Sequence, residues 1–164
     1  YTGGGTFVLS AKTFNNGVGA TGRGNGLLFI DGGNLQIDAN IAYTADPVQT
    51  SLRNLASFGI IVVKDAFGNG GNITVNHTVD SVSGTLFAEG FISTGTVKTS
   101  NPAASDVSLK FYGLLVAEQF NLLRNNDNPQ VPAEEIIFDG RAVVNPPPGM
   151  QDISKSLPNP EAAF

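Results

Sequence analysis

Two kinds of short apolar block recur along the chain. In one, polar and apolar residues alternate, as in Asn34-Leu35-Gln36-Ile37-Asp38, Asn72-Ile73-Thr74-Val75-Asn76 and Asp106-Val107-Ser108-Leu109-Lys110. The other is a continuous apolar run closed by a charge: Leu28-Phe29-Ile30-Asp31, Ile61-Val62-Val63-Lys64, Leu86-Phe87-Ala88-Glu89 and Leu115-Val116-Ala117-Glu118. Alternation with a period of two puts every second side chain on one face of a strand. A block this short cannot bury that face alone, so blocks recurring every few tens of residues must stack on one another. The pattern predicts an all-β fold, a right-handed parallel β-helix whose handedness follows from the rule for parallel crossovers. A β-sandwich is the alternative arrangement of the same short strands.

Between the blocks the chain is punctuated by turn chemistry. Thr6-Phe7-Val8-Leu9 reads as a first strand, Asn15 to Gly26 as a polar loop, and Asp31-Gly32-Gly33 as a tight turn. Ala45 to Ser57 interrupts the repeat: Asp46-Pro47 starts a turn, and Val48, Leu52 and Leu55 have helical spacing. This predicts a short helix or loop over the end or flank of the stack. His77 is expected to face outward from a strand over Thr74 to Val79, and Ala142-Val143-Val144 to form a short strand. Pro146-Pro147-Pro148-Gly149, with Pro158 and Pro160, excludes a helix or an inner strand further on. The expected organisation is one solenoid domain over 1–145 and an extended proline-rich tail over 146–164.

Stacking makes specific demands on register. Aligned positions on successive turns lie about 4.8 Å apart, so inward side chains form files. Ile37, Val75 and Leu109 are expected in one file, and Leu28, Ile61, Leu86 and Leu115 in another. Asn34 and Asn72 then stack at the edge of the core and hydrogen-bond to each other along the axis.

Composition supports the β reading and narrows the function. Of 164 residues, 41 % are hydrophobic and only 14 % charged, which favours a packed core over disorder. A net charge of −5 with scattered Lys and Arg argues against nucleic acid. No run approaches a membrane span. Cysteine is absent, which removes disulfides and thiolate chemistry; with abundant Asn and Gly this fits an extracellular or cell-surface protein. With no signal-peptide pattern at Tyr1, the chain is read as a segment trimmed from a longer precursor.

No catalytic, cofactor or metal site assembles from the motifs. Gly17-Val18-Gly19-Ala20-Thr21-Gly22 matches the dinucleotide fingerprint but leads into a strand, where that motif must open a helix. Asp31, Asp38, Asp65, Asn69 and Asn72 could offer oxygens to calcium, but the strict short repeat of calcium-binding β-rolls is missing. The lone His77 cannot build a zinc site. Asp80, Glu89, Glu118, Glu134, Glu135 and Asp139 raise the question of sugar cleavage, which needs two carboxyls at fixed separation. Asn72-Ile73-Thr74 and Asn76-His77-Thr78 fit the glycosylation sequon, but within predicted sheet.

Gly84-Thr85-Leu86-Phe87-Ala88-Glu89-Gly90 and Asn72-Ile73-Thr74-Val75 resemble phrases of bacterial polymer-forming β-helix proteins, the bactofilin-like group, and of solenoid segments in bacterial surface proteins. The resemblance covers residues 27 to 123. It implies a right-handed β-helical core and, for the bactofilin-like group, end-to-end polymerisation without nucleotide. The long insertions and proline-rich C-terminus depart from that group.

A stack leaves unpaired backbone groups at each end, and these invite another strand. Neither candidate cap, 45–57 or the tail, is strongly polar. The expected function is a structural, self-assembling subunit of an extracellular filament or surface layer. Phe7, Val8 and Leu9 at one end, and Met150, Ile153, Leu157 and Phe164 in the tail, are the candidate assembly residues. The expected partner is the chain itself, with surface glycans as a further partner if the scaffold serves as an adhesin or a carbohydrate-binding or cleaving module. If the tail carries assembly, a chain ending at Asn145 folds but fails to polymerise, an outcome read by electron microscopy of the truncated protein.

Overall fold

The computed structural model describes residues 1–15, 24–44, 54–95, 106–126 and 128–152. The strands are β1 (Thr6–Leu9), β2 (Lys12–Phe14), β3 (Asn25–Asp31), β4 (Asn34–Ile37), β5 (Ile41–Tyr43), β6 (Ser57–Val63), β7 (Ile73–Val75), β8 (Ser81–Ser93), β9 (Leu109–Asn121) and β10 (Glu134–Ile137), followed by one helical turn, α1 (Arg141–Val144). Every pairing between these strands is parallel, which excludes a sandwich of antiparallel sheets. The chain is a parallel β-solenoid of about four turns.

Three ladders run along it. The first joins β1, β4, β7, the end of β8 and the end of β9. The second joins β2, β5, the starts of β8 and β9, and β10. The third joins β3, β6 and the middles of β8 and β9. β8 and β9 thus serve all three ladders, with a register shift between Ala88 and Phe91. Where each turns from the second ladder into the third it carries a glycine, Gly84 (φ +142°) and Gly113 (φ +155°), and the two are paired. A Cβ on Gly113 would strike the Gly84 carbonyl oxygen, and one on Gly84 would lie 2.8 Å from that of Phe58. Only glycine lets the backbones pass this corner so closely.

The core is the set of files inside the ladders. Leu35, Ile73 and Ile92 form one, Ile37 and Val75 with Leu9 a second, Ile41, Val82 and Phe111 a third, and Ile30, Val62 and Ala88 a fourth, all buried. Burying each large aliphatic side chain contributes about 1.5–3 kcal/mol, so the files are the main source of stability.

Register departs from the sequence expectation in two places. Ile37 and Val75 share a file, but Leu109 does not join them: the end of β8 follows β7 on the first ladder, with Ile92 paired to Ile73 and Ser93 to Thr74, and Leu109 starts the next pass along the second ladder. The Leu28 file continues through Ile60, not Ile61, to Leu86 and Leu115. A shift of one residue reverses the facing of a strand, so Ile61 is only half-buried while Ile60 is fully enclosed.

Two local expectations also change. The strand after Asn72 ends at Val75, and His77 lies in a turn closed by Val79 N–H to Asn76 O (3.0 Å) and Thr78 N–H to Asn76 Oδ1 (3.2 Å). Residues 142–144 are helical, because Asp139 accepts from the Arg141 N–H (3.0 Å) and Ala142 N–H (3.1 Å) and so starts a turn, which Pro146 then stops. β-branched propensity loses to that local hydrogen bonding. Most of the predicted 45–57 helix lies outside the described residues; Ser57 itself opens β6. Most of the Asn15 to Gly26 loop and the 98–105 insertion also lie outside them.

After α1 the chain crosses the outside of the third ladder. Met150 is 1 % exposed, and a Cβ on Gly59 would run into the Met150 sulfur and sit 2.8 Å from Pro147 Cβ. Gly59 is the notch that receives this strap, and Asn145 Nδ2 anchors it to Leu55 O at 2.8 Å.

Gly113→Val is expected to destabilise the fold by about 3 kcal/mol or more, adding a clash to the roughly 1–3 kcal/mol of a strained backbone. Gly140→Ala, at φ −58° with open space around it, serves as the near-neutral control. Chemical denaturation of the two variants checks both values.

Candidate functional site

The last turn of the solenoid is incomplete. β10 pairs with β9 only from Leu109 to Tyr112, and the chain leaves the ladder at Phe138. Among the described residues no strand pairs with the outer edge of β9 from Gly113 to Asn121. This edge offers unpaired backbone groups beside apolar side chains, the combination that recruits another strand.

Around it lies an apolar groove of about 260 Å³ lined by Gly113, Leu114, Leu115, Phe120, Ile136 and Phe138. Phe120 is 43 % and Phe138 60 % exposed, and Leu122, Leu123 and Ile136 are exposed with them. Two of these residues are in line with core files: Phe120 follows Ile92, and Ile136 follows Phe111. They are exposed because the stack stops, not because the pattern changes.

A buried cation holds this end together. Arg124 is 6 % exposed, and its guanidinium donates to four backbone carbonyls: Thr94 O from Nε (3.0 Å), Val79 O and Val107 O from Nη1 (2.6 Å each), and Asn76 O from Nη2 (2.8 Å). Burial pulls its pKa below the ordinary arginine value, opposed by the Asp106, Glu134 and Asp80 carboxylates. Glu134 completes the corner by accepting from the Arg124 N–H and the Thr94 hydroxyl, both at 2.8 Å. Sequence reasoning missed this clamp. Its only trace was an arginine directly after Leu122-Leu123, where the repeat gives out.

At the opposite end β1 is the outermost strand of the first ladder. It places Phe7 against the core, Leu9 inside it, and Val8 outward at 49 % exposure. Of the tail residues, Met150 is enclosed against Gly59, whereas Ile153, Leu157 and Phe164 lie outside the described residues. The strand-end candidates are thus gathered at one end, and Met150 lies on the chain's own flank.

The remaining polar candidates are tied into local structure. Asn72 Nδ2 donates to Asn34 Oδ1 (2.9 Å), and Asn72 Oδ1 accepts from the Phe91 N–H (3.1 Å), the predicted ladder extended by one turn. Asn76 Nδ2 donates to Asp38 (3.1 Å) in a second rung pair, and Asn40 bonds the Asp80 carboxylate and N–H in a third. Both sequon amides therefore serve as ladder donors. Asp65 accepts from the N–H groups of Phe67 (2.9 Å) and Asn69 (2.8 Å), and the Asn69 side chain and these amides hold its pKa below the ordinary value. Asp65 and Asn69 thus share one turn, while Asp38 accepts from Gln36 and Asn76 in another.

Glu89 and Glu118 do meet, at Lys64. Glu89 accepts from its backbone N–H (2.7 Å), and Glu118 pairs with its ammonium at 3.2 Å. Glu135 pairs with Lys110 (3.5 Å) and Asp139 with Arg141 (3.6 Å). The Gly17–Gly22 motif lies outside the described residues. No helix among the described residues is long and apolar enough to cross a membrane.

No protein-family model, curated protein or solved structure matches the chain.

Arg124→Met is expected to cost about 3 kcal/mol or more, because it strands several carbonyls that a charged donor satisfied. Urea denaturation measures the loss. Exchange of the Leu123 and Asn125 amides should accelerate before that of β4.

Proposed function

We propose that the chain is a structural, non-enzymatic subunit of an extracellular filament or surface layer, assembling with copies of itself through the ends of its solenoid, with the terminal tail contributing. The observation that carries this reading is the uncovered edge of β9 from Gly113 to Asn121, set beside exposed Phe120, Ile136 and Phe138. A monomer that kept this end in water would expose both an apolar groove and a strand edge.

A second reading, an adhesin or carbohydrate module, draws on a different surface. A groove of about 480 Å³ on the flank is lined by Lys64, Asn72, Phe91, Glu118 and Gln119 among others, a ring beside mixed polar groups of the kind that holds sugars. In that reading Phe91→Ala removes glycan binding by a monomer, and any cleavage is lost in Glu89→Gln.

Negative-stain microscopy and light scattering of the purified chain test the assembly reading, with filaments or sheets expected. Phe120→Asp and Phe138→Asp, both at exposed positions, should keep the circular dichroism of the parent and raise the concentration needed for assembly at least about tenfold, equivalent to about 1.4 kcal/mol. A parent chain that stays monomeric at high concentration overturns the reading. Removing 153–164 leaves Met150 seated on Gly59 and isolates the contribution of the tail: unchanged assembly assigns the contact to the solenoid ends alone.

A further inference from the structure

We infer that copies join head to tail in a single register, the first turn of one copy continuing the files of the last turn of the next, an inference that rests on the assembly reading above. The two ends are complementary. The last turn has a first side, the end of β9, and a second side, β10, but among the described residues no strand lies over Leu114 to Glu118 on the third ladder. The first turn carries what is missing: Tyr1 to Gly3 lie along the outer edge of β3, with Asp31 N–H donating to Tyr1 O (3.0 Å) and Gly3 N–H to Asp31 O (3.3 Å).

Register defines the joint. Phe7, Leu35, Ile73, Ile92 and Phe120 are consecutive members of one file, as are Val8, Gln36, Thr74, Ser93 and Asn121 of its outward neighbour. Extending the ladder by one strand seats Phe7 of a second copy on Phe120 and its Val8 on Asn121. On the third ladder the same step brings Tyr1 and Thr2 of that copy over the edge at Ala117 and Glu118. On the second ladder the same step places Lys12 of the second copy in line with Ile136, at the head of the Ile41, Val82 and Phe111 file.

The contact uses two different surfaces of one chain and does not close, which makes a polar filament. Five strands of the first ladder per copy, at about 4.8 Å each, give an axial repeat of about 24 Å.

The chain has no cysteine, so engineered pairs report the register directly. Residues in register on adjacent parallel strands are about 4.8 Å apart, within disulfide reach, while Gln119 would stand about 8 Å from Val8, beyond it. Val8→Cys mixed with Asn121→Cys, then oxidised, should give cross-linked dimer at least about tenfold over Val8→Cys mixed with Gln119→Cys. Circular dichroism confirms that each variant is folded, and the 24 Å repeat in diffraction from unmodified filaments is an independent readout. Filaments that form without the Val8–Asn121 preference, or with another repeat, overturn the joint and leave assembly standing. If the parent chain forms no assembly, both fail.

Discussion

The constraint on which everything else depends is the parallel hydrogen-bonded register between one turn and the next. It converts weakly apolar segments into continuous files: Leu35 has no partner within its own strand, and is enclosed only because Phe7 and Ile73 lie above and below it. Each turn is thus stable only as a neighbour of another. The same dependence leaves Phe120 and Ile136 exposed on the final turn, where they obey the rule of the core with no further turn among the described residues to enclose them.

Polar residues maintain that register at the corners. The Asn34–Asn72 pair, the Asp38–Asn76 pair and the Asn40–Asp80 pair each bond across adjacent turns, and a one-residue slip would break all three. Arg124 does this for the last turns with one side chain, satisfying carbonyls that no strand could reach. In the proposed assembly, an end held in fixed geometry would associate without first ordering itself.

Much of this was legible along the chain. Alternation in 34–38 and 72–76 identified β4 and β7, the charge-ended runs identified β3, β6, β8 and β9, and the asparagine ladder followed from their spacing. What escaped was register: β8 and β9 are single strands serving three ladders, and no local pattern reveals that the end of β8, and not the strand at Leu109, follows β7. The helical turn at Arg141 escaped because one Asp139 side chain outweighs three residues of β propensity. The apolar end was visible only as residues such as Phe120 and Phe138, indistinguishable in sequence from core.

The sequence by itself determined the class of fold, because a period of two and dense turn chemistry leave short strands no way to bury themselves except against one another. The tertiary structure alone decided which turn lies last, where β10 stops, and that Met150 folds back into the notch at Gly59 while no strand among the described residues pairs with the outer edge of β9 past Tyr112. Those outcomes depend on where chain segments distant in sequence come to rest, and local patterning carries no information about that.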